Sequence, residues 1–318
     1  MASKGRPTQE SRKEKMVSVR MDSKEYAKMK HIADRSNTTV TSIIKDSTKA
    51  LLKEDLQMAK VIAVANQKGG VGKTTTTYNL GIGLAKKGKK VLLIDADAQG
   101  DLTSCLGIPL PDNLDTTLSS VMKKIIMDEF SDVRYGIMQS EENVDFLPAN
   151  IELADTELTL VNVMMRESIL ASYINIQREN YDYILIDCSP SLGLMTLNCF
   201  TAADSIIIPI EPSYLPAKGL DKLIATISKV KKNLNSKLAI AGIVFTMVNQ
   251  QRVIAKETMG QISDIYGSNI KIFDSFIPIG VSATEAPMEG KSIYSYDPKS
   301  KVAAAYQALT EEVFKIYG

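Results

Sequence analysis

The chain has 318 residues, 44% of them hydrophobic, which is enough for one large domain with a buried core and a small appendage. Its three cysteines, Cys105, Cys188 and Cys199, lack the spacing of a metal site or a disulfide framework and suit a reducing compartment. No apolar run reaches the ~18 residues that a membrane span needs, and the N-terminus carries no secretory apolar segment. We therefore expect a cytoplasmic protein.

The formal net charge of +1 is unevenly distributed along the chain. Residues 1–57 contain 13 Lys and Arg against 8 Asp and Glu, whereas the remainder contains 25 against 29. A net charge of +5 at one end and −4 elsewhere is typical of a nucleic-acid-binding segment joined to a separate domain. The sequence therefore predicts two domains, residues 1–57 and residues 58–318.

The N-terminal segment has the pattern of a small α/β unit. Residues 1–15 are polar and basic, as in a disordered arm, and residues 16–21 alternate as in a strand. Asp22 or Ser23 can cap a following helix, and residues 35–38 are typical of a turn before a second helix. The apolar sides of the two helices are Tyr26, Met29, Ile32 and Ala33, and then Val40, Ile43, Ile44, Leu51 and Leu52.

This order of strand, helix, turn and helix resembles a ribbon-helix-helix DNA-binding unit. Such a unit dimerises by pairing its strand with a twin, and the paired ribbon enters the major groove. The resemblance implies that Ser18 and Arg20 face DNA. The same pattern also fits a basic dimerisation or docking segment that does not touch DNA, and both interpretations remain open.

A strand, a glycine loop and a helix follow one another after residue 60. Residues 61–65 are an apolar run, and residues 76–87 show helical spacing of apolar side chains. Glycines let backbone N–H groups converge on phosphate oxygens, and the helix start adds further unpaired N–H groups. Lys73 can neutralise the terminal phosphates, and the Thr74 hydroxyl can ligate Mg²⁺. The predicted nucleotide-binding residues of this loop are Lys68, Gly69, Gly70, Val71, Gly72, Lys73, Thr74 and Thr75.

The loop departs from the usual phosphate-binding pattern at its start. Gln67 stands where a glycine is usual, and Lys68 adds a second lysine. Residues 66–75 therefore resemble the deviant P-loop of the ParA/MinD ATPases, and the ParA branch in particular. The resemblance implies that Lys68 reaches across a nucleotide-sandwich dimer to the partner's phosphates. The residues themselves show only an extra cation beside a phosphate site.

Two further apolar strands end in carboxylates. Residues 90–95 end in Asp95, and residues 181–187 end in Asp187. The C-terminal ends of parallel strands share the edge of the sheet where ligands bind, so both carboxylates are predicted beside the glycine loop. An apolar run that ends in Asp is the Walker B arrangement, in which the carboxylate holds Mg²⁺ opposite Thr74.

The stretch that begins at Asp95 resembles the family's first switch, Asp-x-Asp-Pro-Gln-Gly-Asn. The resemblance implies that Asp95 is a carboxylate on the Mg²⁺ side and that Asp97 positions the attacking water. Ala98 stands in place of the family's Pro and Asp101 in place of its Asn, which leaves the switching behaviour open. Together with the loop, this makes Lys68, Lys73 and Asp97 the catalytic candidates and Thr74, Asp95 and Asp187 the metal candidates.

The C-terminal half adds weaker signals. Residues 188–193 resemble the family's second switch, with a serine in place of a usual proline. By resemblance, Asn249 is a candidate for adenine contact, although a strand-end cap explains it nearly as well, and Pro278 is a further nucleotide-binding candidate. The segment around Pro278 resembles one in chromosomal ParA proteins that carries two arginines, but Ile279 and Ser282 occupy those places here.

Basic residues of the C-terminal half are the candidates for DNA contact. ParA proteins bind DNA without sequence preference through basic residues in this half, and only as the ATP-bound dimer. Contact of this kind with phosphates depends strongly on salt. A solvated basic face explains any single residue equally well. With Arg20 from the N-terminal segment, the candidates are Lys229, Lys232, Arg252 and Lys256.

Strands that alternate with helices predict an α/β fold, with a doubly wound, mostly parallel P-loop NTPase sheet and a small N-terminal α/β extension. One of its helices is expected from near Ile151 to about Met165. The resemblance covers residues 60–318 and implies a DNA-partition ATPase that uses ATP and Mg²⁺. It also implies an ATP-dependent homodimer, nonspecific DNA binding, a stimulating ParB-type centromere-binding partner and association with the nucleoid.

Two other functions remain open from the sequence. A sequence-specific repressor could use residues 1–57 to bind an operator, with nucleotide only tuning the affinity. A MinD-like ATPase would cycle on membranes and would need a terminal amphipathic helix rich in Lys and Phe. The last turn, residues 311–317, has the wrong charge balance for that role, so no membrane partner is expected.

Overall fold

The computed structural model describes residues 19–36, 38–212 and 217–317. The chain divides into two compact units, Met1–Leu56 and Gln57–Gly318.

The N-terminal unit contains two helices, α1 (Ser23–Arg35) and α2 (Val40–Gln57). Asp22 caps α1 as the sequence predicts, because its side chain accepts the N–H of Glu25 and the Glu25 side chain accepts the N–H of Asp22. Residues 19–22 carry no strand in the single chain, and residues 16–18 of the predicted strand lie outside the described residues.

The larger unit is built on an eight-stranded sheet in the order β3-β4-β2-β5-β1-β6-β7-β8. All neighbouring strands are parallel except the short edge pair of β3 and β4. This confirms the predicted doubly wound, mostly parallel α/β fold. The strands are β1 (Lys60–Val64), β2 (Val91–Ala96), β3 (Met138–Gln139), β4 (Asp145–Leu147), β5 (Tyr183–Cys188), β6 (Ser205–Ile210), β7 (Ala239–Val248) and β8 (Ile272–Pro278).

Helices cover both faces of the sheet, so the central strands are buried on both sides. In β1, Val61 and Ala63 pack into one core and Ile62 packs into the other. The helices are α3 (Lys73–Lys86), α4 (Asp101–Cys105), α5 (Leu118–Ile126), α6 (Glu152–Leu160), α7 (Ile169–Gln177), α8 (Leu194–Ala202), α9 (Ala217–Asn233), α10 (Val253–Tyr266), α11 (Ser282–Met288), α12 (Ile293–Tyr296) and α13 (Lys301–Tyr317).

The helix expected from Ile151 to Met165 is shorter than predicted. It ends at Leu160, and Met165 adopts a left-handed conformation with φ of 54° that an α-helix cannot contain. The Arg166 side chain donates to the carbonyl of Val161, 2.8 Å away, and so satisfies a group that a longer helix would have used. Apolar spacing alone did not reveal this turn.

Chain order brings the glycine loop and both strand-end carboxylates to one edge of the sheet. Strand β1 lies between β5 and β6, and β5 separates it from β2. The direction of the connections therefore reverses beside β1, and a crevice forms at the C-terminal ends of the strands. We call the C-terminal ends of the strands, where this crevice lies, the carboxyl edge. We call the N-terminal ends of the strands the amino edge.

Candidate nucleotide-binding site

The loop between β1 and α3 exposes backbone N–H groups toward the carboxyl edge. Gly70 and Gly72 have φ of 69° and 79°, a left-handed conformation that favours glycine. Gly72 is the N-cap of α3 and has no side chain with which to cap the helix. The first turn of α3 therefore keeps donors for an anion, and the helix dipole adds positive potential there.

Side chains from distant strands hold this loop in place. Thr246 of β7 donates its hydroxyl to the carbonyl of Val71 at 2.8 Å. Asn66 donates to the carbonyl of Pro209 at 2.7 Å and accepts the N–H of Lys68 at 3.0 Å. The sequence did not predict either supporting role, because the contacts of Thr246 and Asn66 exist only once β6 and β7 are placed beside β1.

Lys73 lies inside the loop rather than in solvent. Its side chain is buried, and its ammonium donates to the carbonyl of Lys68 at 3.3 Å. That hydrogen-bond partner is a neutral carbonyl, and the nearby carboxylates of Asp97 and Asp187, whose pKa values Lys73 acts to lower, are the negative charges around the ammonium. The loop therefore presents a cation where an anion can bind.

Asp95 and Asp187 are neighbours across the paired ends of β2 and β5, and both are 1% exposed. The Thr74 hydroxyl donates to Asp187 at 2.6 Å, and the Thr77 hydroxyl donates to its other oxygen at 3.3 Å. Asp95 accepts the N–H and the hydroxyl of Thr103 at 2.9 and 2.7 Å. The sequence thus correctly placed Thr74 and both carboxylates together.

The electrostatics of this pair favour a cation. Burial raises the pKa of Asp95 to about 6, although the hydrogen bonds from Thr103 oppose the shift. Burial, with the neighbouring Asp95 as the next cause, raises the pKa of Asp187 well above its usual value. Two adjacent buried carboxylates are costly unless a positive charge compensates them.

A magnesium ion bound with a nucleotide fits this arrangement. Within the described ranges, no group of three or more His, Cys, Asp or Glu side chains is arranged to hold a metal by itself. Mg²⁺ is usually bound through one or two carboxylates, and phosphate oxygens and water complete its shell. Thr74, Asp95 and Asp187 beside a phosphate-binding loop match that requirement.

Asp97 lies just beyond β2, where it is half-buried. It accepts the N–H of Gln99 at 3.1 Å and so shapes the turn that follows the strand. Burial raises the pKa of Asp97, the Gln99 hydrogen bond opposes the shift, and the nearby Asp101 adds to it. The carboxylate is close enough to Lys73 for that cation to lower the pKa.

A cleft of about 650 Å³ opens beside the loop and can hold the remainder of a nucleotide. Gly72, Thr74 and Thr75 line one side, and Pro278 lies among the lining residues as predicted. Asn249 is not among them, and its side-chain oxygen accepts the N–H of Gln251 at 3.1 Å, as a strand-end cap does. Adenine contact by Asn249 therefore stays a prediction.

Lys68 lies on the rim of the loop. Its ammonium forms an ion pair with Glu211 at 2.8 Å, and 52% of its side chain is exposed. The two lysines of the loop therefore differ, because Lys73 is buried within it and Lys68 extends from it.

The predicted DNA-contacting residues are all exposed. Lys229 and Lys232 are exposed on α9, Arg252 is the N-cap of α10, and Lys256 is exposed in its first turn. Arg20 is exposed in the N-terminal unit. Their role in binding DNA stays a prediction.

The fold and the site define a P-loop ATPase that uses ATP with Mg²⁺. A family model described as an AAA domain matches residues 59–240. Sporulation initiation inhibitor protein Soj of Bacillus subtilis (strain 168) is 41% identical over 256 residues, which cover 80% of this chain and 98% of Soj. Chromosome partitioning protein ParA of Caulobacter vibrioides is 37% identical over 256 residues, which cover 80% of this chain and 93% of ParA.

A solved structure shares both the fold and the cofactors. It is described as cobyrinic acid a,c-diamide synthase from Mycobacterium smegmatis with bound ADP and magnesium. Its TM-score is 0.71 at 31% identity, and the match covers 82% of this chain and 96% of that one. The chain belongs to the Soj/ParA family of P-loop ATPases. In the part of the chain that is described, no helix is long and apolar enough to cross a membrane.

Proposed function

We propose that this protein is a DNA-partition ATPase. Its ATP-bound form is a sandwich dimer that binds DNA without sequence preference. A ParB-type centromere-binding partner stimulates hydrolysis, which releases the dimer from DNA. The similarity to the chromosome partitioning protein of Caulobacter vibrioides supports this role. The protein acts in the cytoplasm, on the nucleoid, and does not require a membrane.

The chemistry is phosphoryl transfer to water. Residues 69–75 bind the phosphates, with Pro278 and Asn249 nearer the base. Thr74, Asp95 and Asp187 would hold Mg²⁺, which would supply positive charge beside the phosphate oxygens. Lys73 stabilises the negative charge of those oxygens from within the loop, and Asp97 orients the attacking water.

The observation that carries the dimer proposal is the different placement of the two loop lysines. Lys73 is buried within its own loop, whereas Lys68 is half-exposed and ion-paired with Glu211 at the rim. An exposed ion pair is worth at most about 1 kcal/mol, so exchanging Glu211 for a phosphate costs little. Lys68 can therefore turn toward the phosphates of a second copy that faces the carboxyl edge.

The DNA surface consists of exposed cations, and it binds phosphates rather than bases. Lys229, Lys232, Arg252 and Lys256 contribute to it, and Arg20 adds a contact from the N-terminal unit. Each phosphate contact releases counterions, so the affinity for DNA falls steeply with salt.

The N-terminal unit supports a second candidate, a sequence-specific repressor tuned by nucleotide. Exposed apolar side chains on and before α1 favour a dimerising unit, since pairing with a twin would cover them. These residues are Val19, Tyr26 and Ile32, which are 59%, 52% and 50% exposed.

A membrane-cycling function receives less support. The apolar side of α13 is buried against the core through residues such as Tyr306, Leu309 and Val313. An interfacial helix must present its apolar side chains to the bilayer, and these side chains of α13 are not exposed. Flotation with liposomes in the presence of ATP tests this alternative, and we expect the protein to stay unbound.

DNA binding by the full chain and by a variant without residues 1–57 separates the two candidates. Each is measured with ATP, ADP or no nucleotide, on random and upstream-promoter DNA, across a salt series. We expect both proteins to bind random DNA only with ATP. Binding that requires residues 1–57, ignores nucleotide and prefers the promoter would instead establish repression and overturn the partition proposal.

Lys68→Ala tests the dimer directly. We expect the variant to bind ATP but to remain monomeric in sedimentation with ATP and Mg²⁺, with stability changed by less than about 1 kcal/mol. Lys291→Ala is a matched control, because Lys291 is 53% exposed and pairs with Glu289 at the same 2.8 Å. Dimerisation by Lys68→Ala equal to that of the control would contradict the proposal.

A further inference from the structure

Glu157 of α6 contacts the segment that follows Asp187. Its Oε1 accepts the N–H of Met195, in the first turn of α8, at 3.1 Å. Residues 188–193 connect Asp187, at the end of β5, to that helix. We call residues 188–193 the connecting segment. A carboxylate from a different helix thus fixes one of its ends.

The start of α8 requires an acceptor from elsewhere. Its N-cap is Gly193, which has no side chain that could accept the first N–H groups. A carboxylate is a favourable acceptor there, because it also interacts with the positive end of the helix dipole. Glu157 supplies that acceptor, so the position of α8 and of the connecting segment depends on α6.

The space beside Gly193 is occupied by the same carboxylate. A Cβ added at Gly193 would overlap Oε1 of Glu157 and would lie 3.2 Å from its Cδ. The φ of Gly193 is −78°, so its backbone would accept alanine without strain. Glycine matters at this position for the room that it leaves to Glu157.

The connecting segment has other contacts, which include the hydrogen bond between the Ser189 and Ser191 hydroxyls and the packing of Leu192 against the core. Thr196 donates its hydroxyl to the carbonyl of Ser191 at 2.7 Å. The buried Asn198 donates to the carbonyl of Arg166 at 2.7 Å and holds the body of α8 in place. Glu157 adds a hydrogen bond from α6 to the beginning of α8.

We propose that Glu157 is a positioning residue for ATP hydrolysis. The connecting segment is held at one end by the pairing of Asp187 with β1 and β2, and at the other end by the Glu157 carboxylate at the start of α8. Small errors in the placement of reacting groups are costly in rate, whereas nucleotide affinity depends mainly on the loop at residues 66–75. The proposal concerns the ATPase reaction and does not depend on DNA partition.

Steady-state hydrolysis by full-length variants tests the role of the carboxylate. For Glu157→Ala we expect kcat to fall roughly three- to thirty-fold, because the segment beside Asp187 is less well positioned, with KM for ATP unchanged. Glu157→Gln should recover most of kcat, because its amide oxygen can accept the same N–H. Glu152→Ala is the control on the same helix, since Glu152 only forms an exposed ion pair with Lys123 at 3.8 Å, and it should keep the wild-type kcat.

Gly193→Ala displaces the carboxylate without removing it. We expect it to lower kcat by the same factor as Glu157→Ala, and we expect the double variant to lose no more than either single variant. If Glu157→Ala does not fold, Gly193→Ala and Glu157→Gln carry the test alone. An unchanged kcat, a higher KM alone, additive losses or failure of Glu157→Gln to recover activity would each overturn the proposal.

Discussion

The carboxylates at the two edges of the sheet have different kinds of partner. At the carboxyl edge, Asp95 and Asp187 are buried side by side, and their hydrogen-bond donors are neutral hydroxyl and N–H groups. At the amino edge, the carboxylate of Asp204 pairs with Arg178 through two hydrogen bonds of 2.8 and 2.9 Å. Asp204 is thus neutralised directly by Arg178, whereas the two buried carboxylates at the carboxyl edge outnumber Lys73, the cation close enough to lower the pKa of Asp187.

The amino-edge pair has a structural role that the chain order explains. Arg178 ends α7 and also donates to the carbonyl of Ala59 at 2.9 Å, while Asp204 accepts the N–H of Val61 at 2.8 Å. One ion pair therefore fixes the starts of β1 and β6 together. The ion pair at the amino edge therefore contributes to stability, whereas the buried carboxylates at the carboxyl edge keep the capacity to bind a cation.

A larger cavity lies at the amino edge. Its volume is about 870 Å³, and it is lined by residues such as Lys90, Arg134 and Asp145. No residue of the glycine loop lines it. Its size alone therefore does not make it the nucleotide site, because the converging donors and buried carboxylates lie at the other edge.

Asp187→Asn should have the largest effect. It removes one of the two buried carboxylates at the carboxyl edge, and so it tests the contrast between the two edges. We expect hydrolysis to fall at least about 100-fold, since the variant loses a carboxylate that is proposed to hold Mg²⁺ at the reacting phosphate. The free energy of unfolding without nucleotide should rise by about 1–2 kcal/mol, because the amide neither repels Asp95 nor carries a buried charge. Phosphate release and urea unfolding measure the two effects.

The matched control for that variant is Asp204→Asn at the amino edge. It makes the same chemical change where the carboxylate is paired, so stability should fall while hydrolysis per folded molecule persists. If both variants shift stability in the same direction, the contrast between the edges is wrong.

Arg178→Ala should have the next largest effect. Loss of the guanidinium leaves Asp204 and two backbone carbonyls without their donor, and we expect the free energy of unfolding to fall by about 2–3 kcal/mol. This lies below the loss typical of a fully buried pair, because the Asp204 side chain is 35% exposed. Urea unfolding measures the loss, and a change within error would show that the pair does not fix the strand starts.

Arg134→Ala should have the smallest effect. It tests how far burial determines the contribution of an ion pair to stability. The Arg134 side chain is 59% exposed, although its pair with Asp145 spans only 2.6 Å. Asp145 keeps a hydrogen bond from the Tyr181 hydroxyl at 2.7 Å. We expect a loss below about 1 kcal/mol in the same unfolding measurement. A loss as large as that of Arg178→Ala would show that pairing, rather than burial, sets the value of these contacts.

Much of the nucleotide site could be predicted from the sequence, because its signals are local. The strand, the glycine loop and the helix are contiguous from residue 60, and apolar runs that end in Asp95 and Asp187 indicate the carboxyl edge of a parallel sheet. The helix predicted to reach Met165 was too long, because the apolar pattern continues through a turn that only the backbone reveals. Residues 16–18 of the strand predicted at residues 16–21 lie outside the described residues, and residues 19–21 carry no strand.

The amino-acid sequence by itself determined the fold class, the phosphate-binding loop and the carboxylates at the strand ends, since backbone periodicity and glycine spacing are encoded between near neighbours. The tertiary structure decided which side chains support them: Thr246 against the loop, Glu211 beside Lys68, and Glu157 at the start of α8. These contacts join elements that are distant in the chain. Strand order and side-chain direction create these contacts. They also bury Asp95 and Asp187, and this burial raises the pKa values of both carboxyl groups.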